Sequence, residues 1–180
     1  SLLALLKNLK YLDISHNPFP DYSFLQNLLQ LEDLILYNND LKDYTLLQHC
    51  SNLKSLAISA SSQQLPVEKL PLLNTLSLEI LPSNSPAFLT QLPHLKALNL
   101  LSYSLQSVDT LGELTNLQYL SLADSNLTKA DFLENLTNLE GLNLAYTPIK
   151  DFGFLNHLVN LKALHLITYW LEDATPLEAI

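Results

Sequence analysis

The chain has no methionine and no arginine, a single cysteine and three glycines among 180 residues. Each scarcity excludes something. One cysteine, Cys50, cannot close an internal disulfide, so the fold is not stapled covalently and the redox compartment stays open. With glycine only at 112, 141 and 153, there is no glycine-rich loop to cradle a phosphate. Charged residues make up 15%, nine lysines against eighteen acids, for a net charge of −9. No basic block interrupts that balance, which argues against a nucleic-acid or anionic-membrane partner, because neutralising phosphates needs clustered cations. No apolar stretch reaches the ~18 residues of a membrane-spanning helix, so membrane insertion is excluded. The opening residues, Ser1-Leu2-Leu3-Ala4-Leu5-Leu6-Lys7, lack the charged start and cleavage site of a signal peptide.

What is abundant is leucine, with 49 copies. An excess of this size signals a repeat, a coiled coil or a membrane segment, and self-similarity is tested first. The string Leu-x-x-Leu-x-Leu/Ile begins at Leu9, Leu31, Leu53, Leu73, Leu95, Leu117, Leu139 and Leu161. The spacing is 22 residues throughout, except for 20 between Leu53 and Leu73. Numbering each unit from its first leucine, apolar residues recur at positions 1, 4, 6, 11, 14, 17 and 20. Positions 3 to 7 alternate in and out, which predicts a short strand. The three-residue spacing that follows advances an α-helix by about 300° per step, so it cannot keep one face of such a helix. A 3₁₀ or extended return, with three residues per turn, can. The fold class expected is therefore a repeat solenoid, with a parallel sheet on its concave face, 3₁₀ or extended returns on its convex face and little true α-helix. One unit buries too little to offset its own ordering entropy, so stability comes from stacking neighbours.

The run Leu31-Glu32-Asp33-Leu34-Ile35-Leu36-Tyr37-Asn38-Asn39-Asp40-Leu41 resembles a leucine-rich repeat. The 22-residue period, with Asp at position 13 (Asp21, Asp43, Asp151, Asp173), resembles the short internalin-like class, and Leu171 to Leu177 is the closest local match. The resemblance covers essentially the whole chain and implies that Asn at position 9 bonds backbone groups of the turn in a ladder. Here that column reads Asn17, Asn39, Ser61, Leu81, Tyr103, Ser125, Thr147 and Tyr169. Leu81, Tyr103 and Tyr169 cannot do the work of Asn, so local irregularity is expected there. It should be worst between Ser61 and Pro93, where the short unit and five of the nine prolines fall. One domain, 1–180, is expected. Because the first residues read as the tail of a preceding unit and no initiator methionine is present, a fragment lacking both caps is expected, with end-to-end self-association through the uncapped ends.

The search for chemistry is negative. His16, His49, His94, His157 and His165 show no metal-ligand spacing, and His16 and His165 lie seven strands apart, about 30 Å at ~4.8 Å per strand. Cys50 falls at position 20 and reads as a core residue rather than a nucleophile. Asp13 and Asp33 fall on adjoining strands, a pair without a second titrating partner. The sequons at Asn126 and Asn135 read as coincidences of a repeat rich in Asn-Leu-Thr. No catalytic, cofactor-binding or metal-binding residue is assigned, no cofactor is expected, and the chain is not read as an enzyme.

Binding is the remaining possibility. Positions 3, 5 and 7 point away from the core, with position 8 at the edge. These columns hold four acids and no lysine, with tyrosines and small residues between them. Two patches stand out: Tyr119, Asp124, Asn143, Tyr146, His165, Tyr169 and Trp170, and a second of Tyr11, Asp13, His16, Asp33 and Tyr37. Aromatic side chains anchor protein interfaces at low entropic cost. The leading expectation is a module that holds a protein partner on its concave face. The internalin-like resemblance implies bacterial recognition, at the cell surface or secreted. Alternatives are the recognition domain of a larger effector, enzyme or phosphatase-regulator-like protein, and a peptide or carbohydrate binder.

Overall fold

The computed structural model describes residues 2–39, 41–60, 65–80, 86–101 and 108–168. Eight strands form one parallel sheet in strict chain order. They are Tyr11–Asp13 (β1), Asp33–Leu36 (β2), Ser55–Ala60 (β3), Thr75–Ile80 (β4), Ala97–Leu101 (β5), Tyr119–Ser121 (β6), Gly141–Asn143 (β7) and Ala163–His165 (β8). Position pairs with like position throughout, as in Tyr11↔Asp33, Ser77↔Asn99 and Asn143↔His165. Between strands the chain returns through short 3₁₀ turns such as Ser23–Asn27, Tyr44–His49 and Asp131–Asn135, and no α-helix occurs among the described residues.

The period explains the core. In the second unit Leu31, Leu34, Leu36, Leu41, Tyr44, Leu47 and Cys50 are all buried, one for each apolar position. Cys50 is fully buried, its Sγ 3.6 Å from the carbonyl of Leu25, and burial raises its thiol pKa to about 11. It is core and not a nucleophile. A further column escaped the sequence reading. Phe24, Phe132 and Phe154 at position 16 are buried inside the 3₁₀ turns, with Phe88 packed against the same core. Their 22-residue recurrence was the available signal. Aspartate at position 13 starts the turn. Asp21, Asp43 and Asp151 each accept from the N–H two residues on, at 2.8, 2.9 and 2.9 Å. The side chain thus replaces a bond the tight turn cannot make internally.

The irregularity expected between Ser61 and Pro93 takes a different form. Ser61, Leu81, Tyr103 and Tyr169 lie outside the described residues, but the sheet on either side of the short unit is unbroken. Strands β3 and β4 pair over six residues, Ser55↔Thr75 to Ala60↔Ile80. The shortening is visible on the convex side, where the 3₁₀ turn Val67–Lys69 has three residues against six in each of its neighbours. In-register hydrogen bonding is the stricter constraint, so the deletion falls on the return rather than on the sheet.

Strand ends also differ. His16, Asn38, Asp124 and Tyr146, all at position 8, have φ between 51° and 60° and turn the chain out of the sheet. Each precedes Asn, Ser or Thr at position 9. Strands β3 and β4 instead run on through position 8 without a left-handed residue.

Candidate functional site

The concave face is built from the outward columns, and its two ends are made differently. On the β1–β2 end, Tyr11 is 56% exposed and pairs across the ladder with Asp33. Asp13 is turned toward its own strand end, accepting from the N–H and Oγ of Ser15 at 2.9 and 2.7 Å, which lowers its pKa. His16 lies beside Asn38, Nδ1 to Nδ2 3.5 Å. Tyr37 does not join this group. Its hydroxyl reaches over β3 to Ser77 Oγ on β4. The second predicted patch is therefore Tyr11, Asp13, His16 and Asp33, with Tyr37 bridging away from it.

Beyond Tyr37 a polar row runs along the sheet. Ser77 also receives Asn99 Nδ2 at 2.9 Å, and one amide atom of Asn99 is buried without a partner. Asn99, Ser121, Asn143 and His165 continue the row on successive strands. Beside it, the Tyr119 ring lies against Gly141, where an added Cβ would sit 2.8 Å from the ring. Only glycine leaves that space, so Gly141 determines how Tyr119 is presented, 51% exposed. Together these residues line a shallow groove of about 630 Å³ across β4–β8.

The first predicted patch is thus a surface rather than a cluster. Tyr119 at position 3 and Tyr146 at position 8 lie near opposite edges of the sheet, roughly 15 Å apart at ~3.3 Å per residue. Asn143 and His165 lie between them, Asp124 shares Tyr146's edge, and Tyr169 and Trp170 lie outside the described residues. Asn143 accepts from the N–H of Ala145 at 3.0 Å, so part of its polarity is spent shaping the strand end.

Two ladders were not read from the sequence. Asn52, Asn116, Asn138 and Asn160, each just before a unit's first leucine, donate to a carbonyl of the preceding unit at 2.8–2.9 Å. At position 2 charges alternate. Glu32 sits between Lys10 at 2.8 Å and Lys54 at 2.5 Å, and Glu140 meets Lys162 at 2.9 Å. Three of the four lysines at position 2, Lys10, Lys54 and Lys162, are thus paired along this edge. Their column was visible in the sequence; their partners were not, because those lie 22 residues away on the neighbouring strand.

Hydrogen bonds from Lys10 and then Lys54 hold the Glu32 carboxyl at about pKa 2 in the folded chain. An unfolded glutamate titrates near ~4.3. The folded state therefore gains from Glu32 above that value and loses the gain as pH falls toward 2. The urea midpoint should drop between about pH 5 and pH 2, with a shallower drop in Glu32→Gln. Equal slopes for the two proteins would show that the bridge contributes nothing to folding.

Among the described residues no three His, Cys, Asp or Glu side chains converge to hold a metal, and no helix is long and apolar enough to cross a membrane. What the geometry provides is an extended, open sheet face of eight strands paired in register.

Comparison with known proteins gives the same architecture. A family model described as leucine rich repeats (2 copies) matches residues 115–157. Among solved structures, the internalin inlF of Listeria monocytogenes is 23% identical with a TM-score of 0.66, covering 97% of this chain and 59% of its own. A leucine-rich repeat protein of Leptospira interrogans is 28% identical with a TM-score of 0.72, covering 92% of this chain and 45% of its own. The ectodomain of the Arabidopsis thaliana receptor kinase GASSHO1/SCHENGEN3, solved in complex with Casparian strip integrity factor 2, is 26% identical with a TM-score of 0.61. It aligns over 89% of this chain and 21% of its own. No curated protein sequence matches the chain. The chain has the leucine-rich repeat fold, a solenoid of stacked units with an extended concave sheet, and its residues 115–157 match that family's model. It spans less than two thirds of the length of each of these three structures.

Proposed function

We propose that the chain is a non-enzymatic recognition module that holds a protein partner on its concave sheet, with its principal contacts around Tyr119, Asp124, Asn143, Tyr146 and His165. Tyr146 carries this reading. Its φ is 59°, a conformation that the Asn, Asp and His at the same position of other units tolerate and an aromatic side chain does not favour. An L-residue there bears roughly 1–2 kcal/mol of backbone strain, and such strain gathers at binding sites. Yet Tyr146 is 46% exposed, so the core does not account for its presence.

The test separates binding from folding. Tyr146→Asn should leave the melting temperature unchanged or raise it, since Asn38 already occupies the equivalent place. It should weaken a partner selected from an array of purified extracellular proteins by about tenfold, the equivalent of ~1.4 kcal/mol at one anchor. Tyr119→Ala should do the same. Unchanged affinity in both variants removes this surface from the interface.

The internalin-like structures support placement at the cell surface or in a secreted form of a bacterial protein. The share of those longer chains that this one covers supports a second reading, the recognition segment of a larger protein whose activity lies elsewhere. The second patch, Tyr11, Asp13, His16 and Asp33, would then extend the footprint toward β1.

A further inference from the structure

Two Asn-x-Thr sequons stand in the sixth unit, Asn126-Leu127-Thr128 and Asn135-Leu136-Thr137, and the fold treats them differently. The repeat supplies the second. Asn135 shares position 19 with Asn27, and Thr137 shares position 21 with Thr115. Asn126 and Thr128, at positions 10 and 12, have no counterpart of their own kind in any other unit. Hydrogen bonding separates the two further. Asn135 ends the 3₁₀ turn Asp131–Asn135, its Nδ2 3.1 Å from where a Cβ on Gly112 would stand. The N–H of Leu136 donates to the Leu133 carbonyl at 3.0 Å, and the carbonyls of Leu136 and Thr137 accept from Leu139 and Asn160 at 3.0 and 2.9 Å. Asn126 and Thr128 are exposed, and neither side chain has a hydrogen-bond partner among the described residues. Residues 126–128 make no backbone hydrogen bond there either. Leu127 between them is 3% exposed at core position 11, which keeps the two polar side chains outward. Neither the core nor the turn accounts for this unbonded Asn and Thr two residues apart.

We propose that Asn126 is an acceptor for an N-linked glycan and that Asn135, in the folded chain, is not. The proposal rests on the exported placement given above, because an acceptor sequon belongs to the surface loops of secreted chains. The donor is an oligosaccharide carried on a lipid diphosphate. Asn126 Nδ2 bonds to C1 of its first sugar as the C1–O bond to the diphosphate breaks. The lipid diphosphate leaves with that electron pair, and Nδ2 gives up one proton. Thr128 supplies the hydroxyl, two residues on, by which a transferase selects its asparagine. Asn126 lies two residues past Asp124, whose φ of 59° has already turned the chain out of the sheet. A glycan there stands off the outward columns and leaves the concave face open to a partner.

The test incubates the purified, folded chain with an oligosaccharyltransferase that reads Asn-x-Ser/Thr and a lipid-diphosphate oligosaccharide. Intact-mass spectrometry and peptide mapping follow the product. Synthetic peptides 122–130 and 131–139, which free each sequon from the fold, are the controls. Both peptides should be modified. The folded chain should gain one glycan, at Asn126, at least about tenfold faster than at Asn135, whose sequon has three hydrogen bonds to open first. Asn126→Gln and Thr128→Ala should each abolish the gain without moving the melting temperature, and Asn135→Gln should leave it intact. The proposal is overturned if the folded chain stays unmodified, if peptide 122–130 is refused, if Asn135 reacts as fast as Asn126, or if the gain survives in Asn126→Gln. Neither export nor partner binding enters these readouts, so this inference and the reading above fail separately.

Discussion

Replacing Leu56 with alanine is expected to lower the unfolding free energy by about 2–5 kcal/mol, the range for emptying a rigid core site. Leu56 occupies position 4 of the third unit, is fully buried, and pairs in register with Leu34 on one side and Leu76 on the other. Both neighbouring strands are held by their own ladders, so neither can move inward to fill the space. The loss is therefore the transfer free energy of the missing carbons plus an unrelieved cavity. Leu101, 36% exposed on the concave face, is the control. Leu101→Ala should change stability by no more than about 0.5 kcal/mol. Urea denaturation followed by circular dichroism measures both. In a stack where each unit contacts only its neighbours, Leu56→Ala should also broaden the transition as the two halves uncouple. A loss below about 1 kcal/mol would mean that adjacent units repack more freely than a fixed register permits.

The second large effect is expected at the turn. Asn39 donates to the carbonyls of Ile14 and Tyr37, both at 3.0 Å, and accepts from the Tyr22 hydroxyl at 2.9 Å. It joins two units and three polar groups in one place. Asn39→Leu removes every one of those bonds while leaving the groups it served part-buried, at a cost of about 2–4 kcal/mol. The same column supplies its own contrast. Ser125 is buried and its hydroxyl has no partner, so Ser125→Ala should be nearly neutral, within about 0.5 kcal/mol. Thr147 falls between them, with its hydroxyl donating once, to Leu144 at 2.8 Å. Thermal melts of the three variants should rank them in that order. An Asn39→Leu protein as stable as the parent would show that the ladder is incidental.

The column of Asn17, Asn39, Ser125 and Thr147 illustrates how far a periodic sequence can be read. That position 9 serves the turn was legible, since its residue types share the ability to bond a nearby carbonyl. That Asn39 reaches into the preceding unit while Asn17 bonds only carbonyls of its own turn was not. Position 16 lies one residue off the apolar spacing of three, so the recurrence of Phe24, Phe132 and Phe154 falls outside that pattern. The strand alternation places Tyr37 among the outward columns, but not its bond, because its hydroxyl finds Ser77 two strands away.

The sequence by itself determined the period, the burial of positions 1, 4, 6, 11, 14, 17 and 20, the order of the strands and the columns that face outward. A 22-residue repeat of apolar residues has only one way to keep them all inside, which is to stack in register. The tertiary structure alone decided which outward side chains meet. Those partners sit one or two units apart in sequence and within a hydrogen bond in space. Side-chain reach selects them, as with Glu32 between two lysines, Tyr119 over Gly141 and the buried Asn99 amide. A one-dimensional pattern specifies a face, whereas the chemistry of that face depends on distances between strands that only the packed sheet sets.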